Sequence, residues 1–230
     1  MNSIIWKEKS SRDFNSLVIQ ELPPISRPPI RTMISEIEGV DGDKVEQLGY
    51  MAYDKEMSVG IKNMSEIDDI IEYFSGSGEV IFSNEPDKYY KASIVSGIDF
   101  ERLVRFRTAT VVFHVQPFKY AVEEVTQVID TSSLHQIEIV NSGNTQSKPI
   151  IQLEGSGTIT ISYNNKTIIF TFDSQGHAKF DSEAQDVSWN GVLLNRKMIG
   201  DFFLLEKGTN VISWTGTINS FTIDRKSRWL

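Results

Sequence analysis

The segment GTITISYNNKTIIFTF, residues 157–172, indicates the fold class of the C-terminal half. Two alternating runs flank Asn164-Asn165, a pair that tolerates the positive φ values of a type I′ turn. The predicted register pairs Tyr163 with Lys166, Ile161 with Ile168 and Ile159 with Phe170. Apart from Lys166, this face of the hairpin is apolar. The other face pairs Thr158 with Thr171 and Ser162 with Thr167. A hairpin with one apolar face predicts an antiparallel sheet over a core.

The neighbouring segments repeat this rhythm of short strands and turns. They are QIEIV, PIIQLEG, DVSWNG, DFFLLEKGTN, VISWTG and SFTID. Such spacing predicts an antiparallel sandwich or jelly roll. The polar run NSGNTQSKPIIQLEGSG (141–157) then turns corners between strands, since a phosphate-binding loop would need Gly-Lys-Ser/Thr followed by a helix.

The first half contains one predicted helix, MSEIDDIIEYFSGSG (64–78), with an apolar stripe at helical spacing. Ser65 is the expected N-cap, with Asp68 completing a capping-box-like start. The glycines at 76 and 78 are expected to end the helix. The apolar stripe predicts a helix that packs on a sheet.

The remaining segments of the first half are rich in β-branched and aromatic residues, which predicts strands. They are EVIFSN (79–84), YYKASIVSGIDF (89–100) and RFRTATVVFHVQPF (105–118), the last ended by Pro117. LPPISRPPI (22–30) predicts a surface connector or an arm that packs on a neighbouring subunit. AVEEVTQVIDTSSL (121–134) fits either a helix or a linker.

Charge divides the chain near residue 130. The whole chain has a net charge of −8; residues 1–130 hold 22 acidic and 14 basic residues, and residues 131–230 hold 9 of each. We therefore expect two domains, 1–130 and 131–230. The acidic balance disfavours tight binding to nucleic acid. No cysteine, secretory signal or long apolar run is present, which favours a soluble protein of a reducing compartment and no membrane partner.

The sequence offers no set of residues typical of catalysis or of a cofactor. His114, His135 and His177 are too far apart in sequence for a metal motif. The carboxylate pairs fit a helix start, a turn and a solvated face: Asp68/Asp69, Glu85/Asp87 and Glu123/Glu124. We therefore expect no enzyme activity, no catalytic or metal-binding residues and no cofactor.

Two further groups have a structural interpretation and a functional one. Arg102, Arg105 and Arg107 suggest a basic patch, but the acidic surroundings favour ion pairs within the sheet. Trp189 and Trp214 fill the core of a plain sandwich, or stack on sugar rings if they are exposed. Their apolar strand contexts favour the core.

The C-terminal hundred residues resemble the distal tail proteins of long-tailed bacteriophages. One shared pattern is an Asn-x-Gly-Asn turn, Ser-x-Pro and a strand ending in Gly-Ser-Gly, here Asn141, Gly143, Asn144, Ser147, Pro149 and Gly155-Ser156-Gly157. A second lies in LEKGTNVISWTGTINSFTIDRKSRWL, with Leu205, Gly208, Asn210, Ile212, Trp214, Gly216 and the ending Arg228-Trp229. The first half agrees in the order of its segments.

The resemblance implies a mainly β protein in which an N-terminal ring-forming domain carries one packed helix. A C-terminal galectin-like antiparallel β-sandwich follows it. The implied role is that of a structural hub in the virion tail tip, assembled in the bacterial host cytoplasm. A homohexameric ring would join the tail-tube protein to the tail-associated tip protein, around a channel for DNA in transit.

The chain is too short for the arm or carbohydrate-binding insertion that some relatives carry in the C-terminal domain. The resemblance therefore implies a compact member, with host recognition assigned to another tail protein such as a receptor-binding protein. The alternative is a galectin-like module that binds host cell-wall sugars itself.

Overall fold

A computed structural model describes residues 2–39, 41–95, 97, 105–132 and 134–230. The chain forms two compact units, Met1–Val122 with Leu230, and Glu123–Trp229. The expected junction lies near residue 130, whereas the division follows Val122. The reason is that the strand Gln127–Ile129 pairs with the long strand Gly208–Asp224 of the second unit.

The N-terminal unit is an antiparallel sheet with one short helix and a separate hairpin. Its strands are β1 (Ile4–Trp6), β2 (Lys9–Ser10), β3 (Leu17–Glu21), β4 (Ile30–Glu36), β5 (Asp43–Tyr50), β6 (Tyr53–Ile61), β7 (Gly76–Phe82), β8 (Lys88–Ile94) and β9 (Thr108–Ala121). Helix α1 spans Ile67–Tyr73, and a 3₁₀ turn spans Ser11–Asp13. The sheet order is β2-β1-β7-β8-β9-β6-β3. Strands β4 and β5 pair with each other as a separate two-stranded sheet.

Strand β9 confirms the strand predicted in 105–118, and its alternate residues Ala109, Val111, Phe113 and Val115 are buried in the core. Its bounds differ from the prediction. The strand begins at Thr108, since Arg105 and Phe106 are helical and Arg107 has a positive φ of 61°. It continues through Pro117, which lies opposite the register shift between Tyr90 and Ala92 of β8. A proline is tolerated where the regular ladder is interrupted.

Helix α1 is shorter than the predicted 64–78. It starts after Glu66 with no side-chain cap, and the proposed cap Ser65 instead donates to Asn63 Oδ1 at 2.5 Å. The Glu66 carboxylate accepts from the backbone N–H of Ser16 at 2.8 Å, which ties the helix start to the loop before β3. Gly76 begins strand β7. The prediction failed because the tertiary contact with the loop replaced the local cap.

The other predicted elements of this half have mixed outcomes. Strand β7 begins three residues before the predicted start of EVIFSN. Strand β8 covers the first part of 89–100, and residues 96 and 98–100 lie outside the described residues. Residues 22–29 have no regular structure, as expected for a connector. The ambiguous segment 121–134 contains the short strand β10 (Gln127–Ile129) and no helix among its described residues.

The C-terminal unit is built on two long strands, β12 (Ile150–Tyr163) and β18 (Gly208–Asp224). The remaining strands are β11 (Gln136–Asn141), β13 (Lys166–Thr171), β14 (Gly176–Asp181), β15 (Asp186–Trp189), β16 (Val192–Leu193), β17 (Met198–Gly200) and β19 (Arg228–Trp229). The predicted hairpin is β12–β13, and every predicted pair of its register is present. Asn164 and Asn165 have φ values of 42° and 59°, as the turn requires.

The two long strands bend, and each therefore serves two layers. The first part of β12 pairs with β14 and its second part pairs with β13, with register irregularities from Glu154 to Thr160. Between the layers lies an apolar core, and Phe170, Phe180, Phe203, Leu205 and Phe221 are among its fully buried members. The structure is thus mainly β, as the sequence predicts, and α1 is the one α-helix that lies wholly within the described residues.

Gly216 is expected to be essential to this bend. Its φ is +96°, and a Cβ there would lie 2.6 Å from the carbonyl oxygen of Thr158. We expect Gly216→Ala to lower the free energy of unfolding by about 2 kcal/mol or more. The control is Gly176→Ala, whose Cβ would meet its nearest atom at 3.5 Å. Urea unfolding followed by tryptophan fluorescence measures both. Equal stability of the two variants would contradict the role of Gly216.

Candidate assembly surface

The three histidines do not converge on one site. His114 lies on β9, where its Nδ1 is 2.7 Å from Asp54 Oδ1 of the paired strand β6. His135 is exposed, and His177 lies on β14. Across the described residues, no group of three or more His, Asp or Glu side chains is arranged to hold a metal ion.

The tryptophans differ in burial. Trp214 is 3% exposed and packs in the core against Phe221, as predicted. Trp189 is only half-buried, and its ring stacks on His177 with centroids 4.6 Å apart. The core prediction is therefore wrong for Trp189, because β15 is a short strand near the end of its sheet.

Two residues of the arginine patch, Arg105 and Arg107, are exposed and precede β9, so they lie outside the sheet in which their ion pairs were expected. Arg102 lies outside the described residues.

Two carboxylates that appeared ordinary in sequence are largely buried. Glu124 was expected on a solvated face, but its Oε2 accepts from the backbone N–H of Ser227 at 2.8 Å. Its Oε1 lies 3.5 Å from Arg225 Nε. Glu85 was expected in an exposed turn, but it is 9% exposed and belongs to a buried ionic cluster. Partners that are distant in sequence explain why the prediction missed both.

The buried ionic cluster comprises Lys55, Glu85, Tyr90 and Lys119. Lys119 donates to Glu85 Oε1 at 2.7 Å, and the Tyr90 hydroxyl donates to Glu85 Oε2 at 2.5 Å. Lys55 is 3% exposed, and its ammonium lies 5.0 Å from the centre of the Tyr90 ring. Two buried cations therefore surround one carboxylate, so the cluster holds one positive charge in excess.

Hairpin β4–β5 is the most exposed apolar element of the N-terminal unit. Six large apolar side chains between residues 30 and 48 are at least 42% exposed: Ile30, Met33, Ile34, Ile37, Val45 and Leu48. Ile34 pairs with Val45 on one face, and Met33 lies on the other. A separate two-stranded ribbon is marginally stable in water. The arrangement is therefore typical of a surface that another protein covers.

The same hairpin is acidic. Between residues 30 and 50 it has five acidic and two basic side chains, a net charge of −3. The acidic residues at the tip are Glu36, Glu38, Asp41 and Asp43. The long edges of the ribbon are not paired with another described strand of the chain. An apolar ribbon with free edges and an acidic tip is suited to heterologous protein contacts.

Sequence reasoning missed this hairpin. The available signal was Asp41-Gly42, a dipeptide typical of hairpin turns, between two strand-length runs. The runs IRTMISE and DKVEQLGY have no clean division into an apolar and a polar face, because neither face covers a core within the unit.

Residues 12–115 match the family model of the phage tail protein RIFT-related domain. The matched segment lies within the N-terminal unit and is similar to this phage tail family. The match covers α1 and the strands from β3 to the first half of β9, including the exposed hairpin. Among curated protein sequences, none matches the chain.

Solved structures share the fold over the whole chain. The Dit (gp 19.1) protein of SPP1, described as a paradigm of hub adsorption apparatus in Gram-positive infecting phages, aligns with a TM-score of 0.75. It is 16% identical, and 97% of each chain is covered. Two structures of the phage p2 baseplate in its activated conformation, with Sr and with Ca, align with TM-scores of 0.53 and 0.52 at 10% identity. These alignments cover at least 99% of each chain.

These matches confirm the resemblance to phage distal tail proteins that the sequence indicated. The mainly β fold with one helix is likewise confirmed. The galectin-like character of the C-terminal sandwich stays a prediction. The chain thus shares its fold with these phage structures, and residues 12–115 match the family model of a phage tail domain. No helix among the described residues is long and apolar enough to cross a membrane.

The ionic cluster makes stability depend on pH. Burial lowers the pKa of Lys55 from 10.5 to about 8; Glu85 opposes this shift and Lys119 adds to it. Between these pH values the unfolded chain binds more protons at Lys55 than the folded chain does. The free energy of unfolding therefore rises with pH. We expect the free energy of unfolding to rise by about 2 kcal/mol between about pH 7 and about pH 9.5 from this group. Burial raises the pKa of Tyr90, so this tyrosine stays protonated in that window.

Urea unfolding of the full chain at the two pH values, followed by circular dichroism, measures this effect. The control is Lys55→Met, which removes the titrating group and preserves most of the side-chain volume. The difference between wild type and variant isolates the lysine. A rise of equal size in both proteins would show that Lys55 is not its source.

Proposed function

We propose that this chain is the distal tail protein of a long-tailed bacteriophage, a structural hub of the tail tip. The observation that carries the proposal is the alignment with the SPP1 Dit protein over 97% of both chains. The match of residues 12–115 to the family model of a phage tail domain supports it independently. Because the fold alone does not determine function, the assembly surface provides the physical part of the case.

The proposed assembly is a homohexameric ring closed by the N-terminal domain. Each subunit contributes hairpin β4–β5 to its neighbour, which covers Ile34 and Val45 on one face and pairs a free edge. Heterologous contacts of this kind close into rings when the rotation between subunits permits it. Covering these side chains supplies about 1.5–3 kcal/mol for each fully buried residue.

The proposed partners follow from the role of a hub. The ring joins the tail-tube protein to the tail-associated tip protein, and a receptor-binding protein is a further proposed partner. DNA passes through the central channel during infection. The excess of acid in residues 1–130, 22 against 14 basic residues, would limit DNA sticking if these charges line the channel. The proposed location is the virion tail tip, after assembly in the bacterial cytoplasm, and the role is not enzymatic.

The sugar-binding alternative is less well supported. Stacking on a pyranose needs an exposed aromatic ring face, and the half-buried Trp189 already stacks on His177. Trp214 is in the core. The sandwich is therefore proposed as a structural module, and binding of the isolated chain to cell-wall polysaccharide would favour the alternative.

The test combines mass in solution with negative-stain imaging. Wild type is expected to form sixfold rings with six times the chain mass of 26.1 kDa. Ile34→Glu places a charge in the proposed contact and is expected to weaken assembly by roughly 10- to 100-fold. The control is Ile199→Glu on β17, a strand residue that is 70% exposed but lies outside the hairpin.

The two parts of the proposal fail separately. Rings that survive Ile34→Glu would remove the hairpin from the interface without removing the hub. If the isolated chain is monomeric, the assay is repeated on the tail-tube protein as a template. Absence of rings in both conditions would contradict the hub itself.

A further inference from the structure

The segment between β3 and β4, residues 22–29, is held to the N-terminal unit by side chains. It contains four prolines, which lack the N–H groups that a strand uses to pair. Three of its carbonyl oxygens accept hydrogen bonds: Asn84 Nδ2 donates to Pro23 at 3.0 Å, Lys55 Nζ to Pro24 at 2.7 Å and Tyr53 Oη to Ser26 at 3.4 Å. The donors lie on β6 and in the turn after β7.

This segment leads directly into the exposed hairpin. The backbone N–H of Met51 donates to the carbonyl oxygen of Pro29 at 2.9 Å, which closes the base of the hairpin. On the other side, only Met51 and Ala52 separate β5 from β6. Two connections therefore set the direction of the hairpin, a two-residue link and the proline segment. Because the two-residue link is short, residues 22–29 are the connection that is able to detach from β6 and Asn84.

The attachment of residues 22–29 is opposed by the cost of burying the positive charge of Lys55. Lys55 lies beside Lys119. The charge of Lys119 is matched by Glu85, so the ammonium of Lys55 is the positive charge in excess. Water solvates an ammonium better than one carbonyl oxygen and the surrounding aromatic rings do. The hydrogen bonds to the segment favour attachment, and the desolvation of Lys55 opposes it.

We propose that residues 22–29 form a releasable clasp that fixes the direction of hairpin β4–β5, and that Lys55 and Asn84 are its latch. With the clasp closed, the hairpin points in one direction from the sheet. With the clasp open, the hairpin swings about residues 51–52. The clasp belongs to a single subunit and does not depend on ring formation.

Distance measurements by electron paramagnetic resonance test the clasp. The chain has no cysteine, so spin labels at Lys44→Cys on the hairpin and Glu79→Cys on β7 are unique, and both positions are exposed. Labelled chains are diluted into excess unlabelled chain, which removes distances between subunits. The parent is expected to give one narrow distance distribution.

Asn84→Ala removes one arm of the latch at an exposed position, so the fold is expected to survive. We expect the distance distribution to broaden by roughly twofold. The matched control is Asn2→Ala, because Asn2 Nδ2 also donates to a backbone carbonyl at 3.0 Å, that of Gln20, which is on β3 and not in the clasp. The proposal is overturned if Asn84→Ala leaves the distribution narrow, or if both variants broaden it equally.

Lys55 provides a second test through pH. The groups facing it are Glu85, Lys119, Tyr90 and Tyr53, and burial raises the pKa of both tyrosines. The closed clasp binds fewer protons than the open one, so raising the pH favours closure. In Asn84→Ala, we expect the broadened distribution to narrow again between about pH 7 and about pH 9.5. Adding Lys55→Met should abolish that response. A response that persists without Lys55 would remove it from the latch.

Discussion

Both units are governed by the need of every strand to pair the hydrogen-bonding groups along its edges. In the C-terminal unit, β12 and β18 bend so that each pairs in two layers, which leaves short strands at the outer positions. In the N-terminal unit, seven strands form one sheet. The hairpin β4–β5 differs from these strands, because it joins neither sheet within the described residues and both of its faces are largely exposed. Ring assembly is proposed as the way in which this requirement is met.

The buried ionic cluster connects the core of the N-terminal unit to that hairpin. Glu85 is satisfied by Lys119 and Tyr90, and Lys55 extends the cluster to the carbonyl oxygen of Pro24. A wholly apolar core would be at least as stable at this position. What the charged cluster adds is a hydrogen bond from the core to the segment that carries the hairpin. The side chains of the buried cluster thus also contact the segment that leads into the hairpin.

The accuracy of sequence-based prediction depends on how far apart in the sequence the interacting residues lie. The register of β12–β13 was predicted residue by residue, because turn chemistry and alternation are local and agree with each other. Helix α1 was predicted too long, because Glu66 bonds to the loop before β3 and Ser65 is left out of the cap. Glu85 and Glu124 were taken for exposed carboxylates, because their partners lie far away in sequence. Hairpin β4–β5 was missed, because it has no core-facing side of its own.

The sequence by itself determined the mainly β class, the corner-turning role of the Gly- and Asn-rich segments and the resemblance to phage distal tail proteins. These properties are encoded in alternation, turn residues and short motifs, which involve neighbours along the chain. Only the tertiary structure decided which apolar residues stay exposed, which charges are buried and what holds the proline segment. Those outcomes depend on contacts between strands many residues apart, and no local pattern specifies which strands will meet.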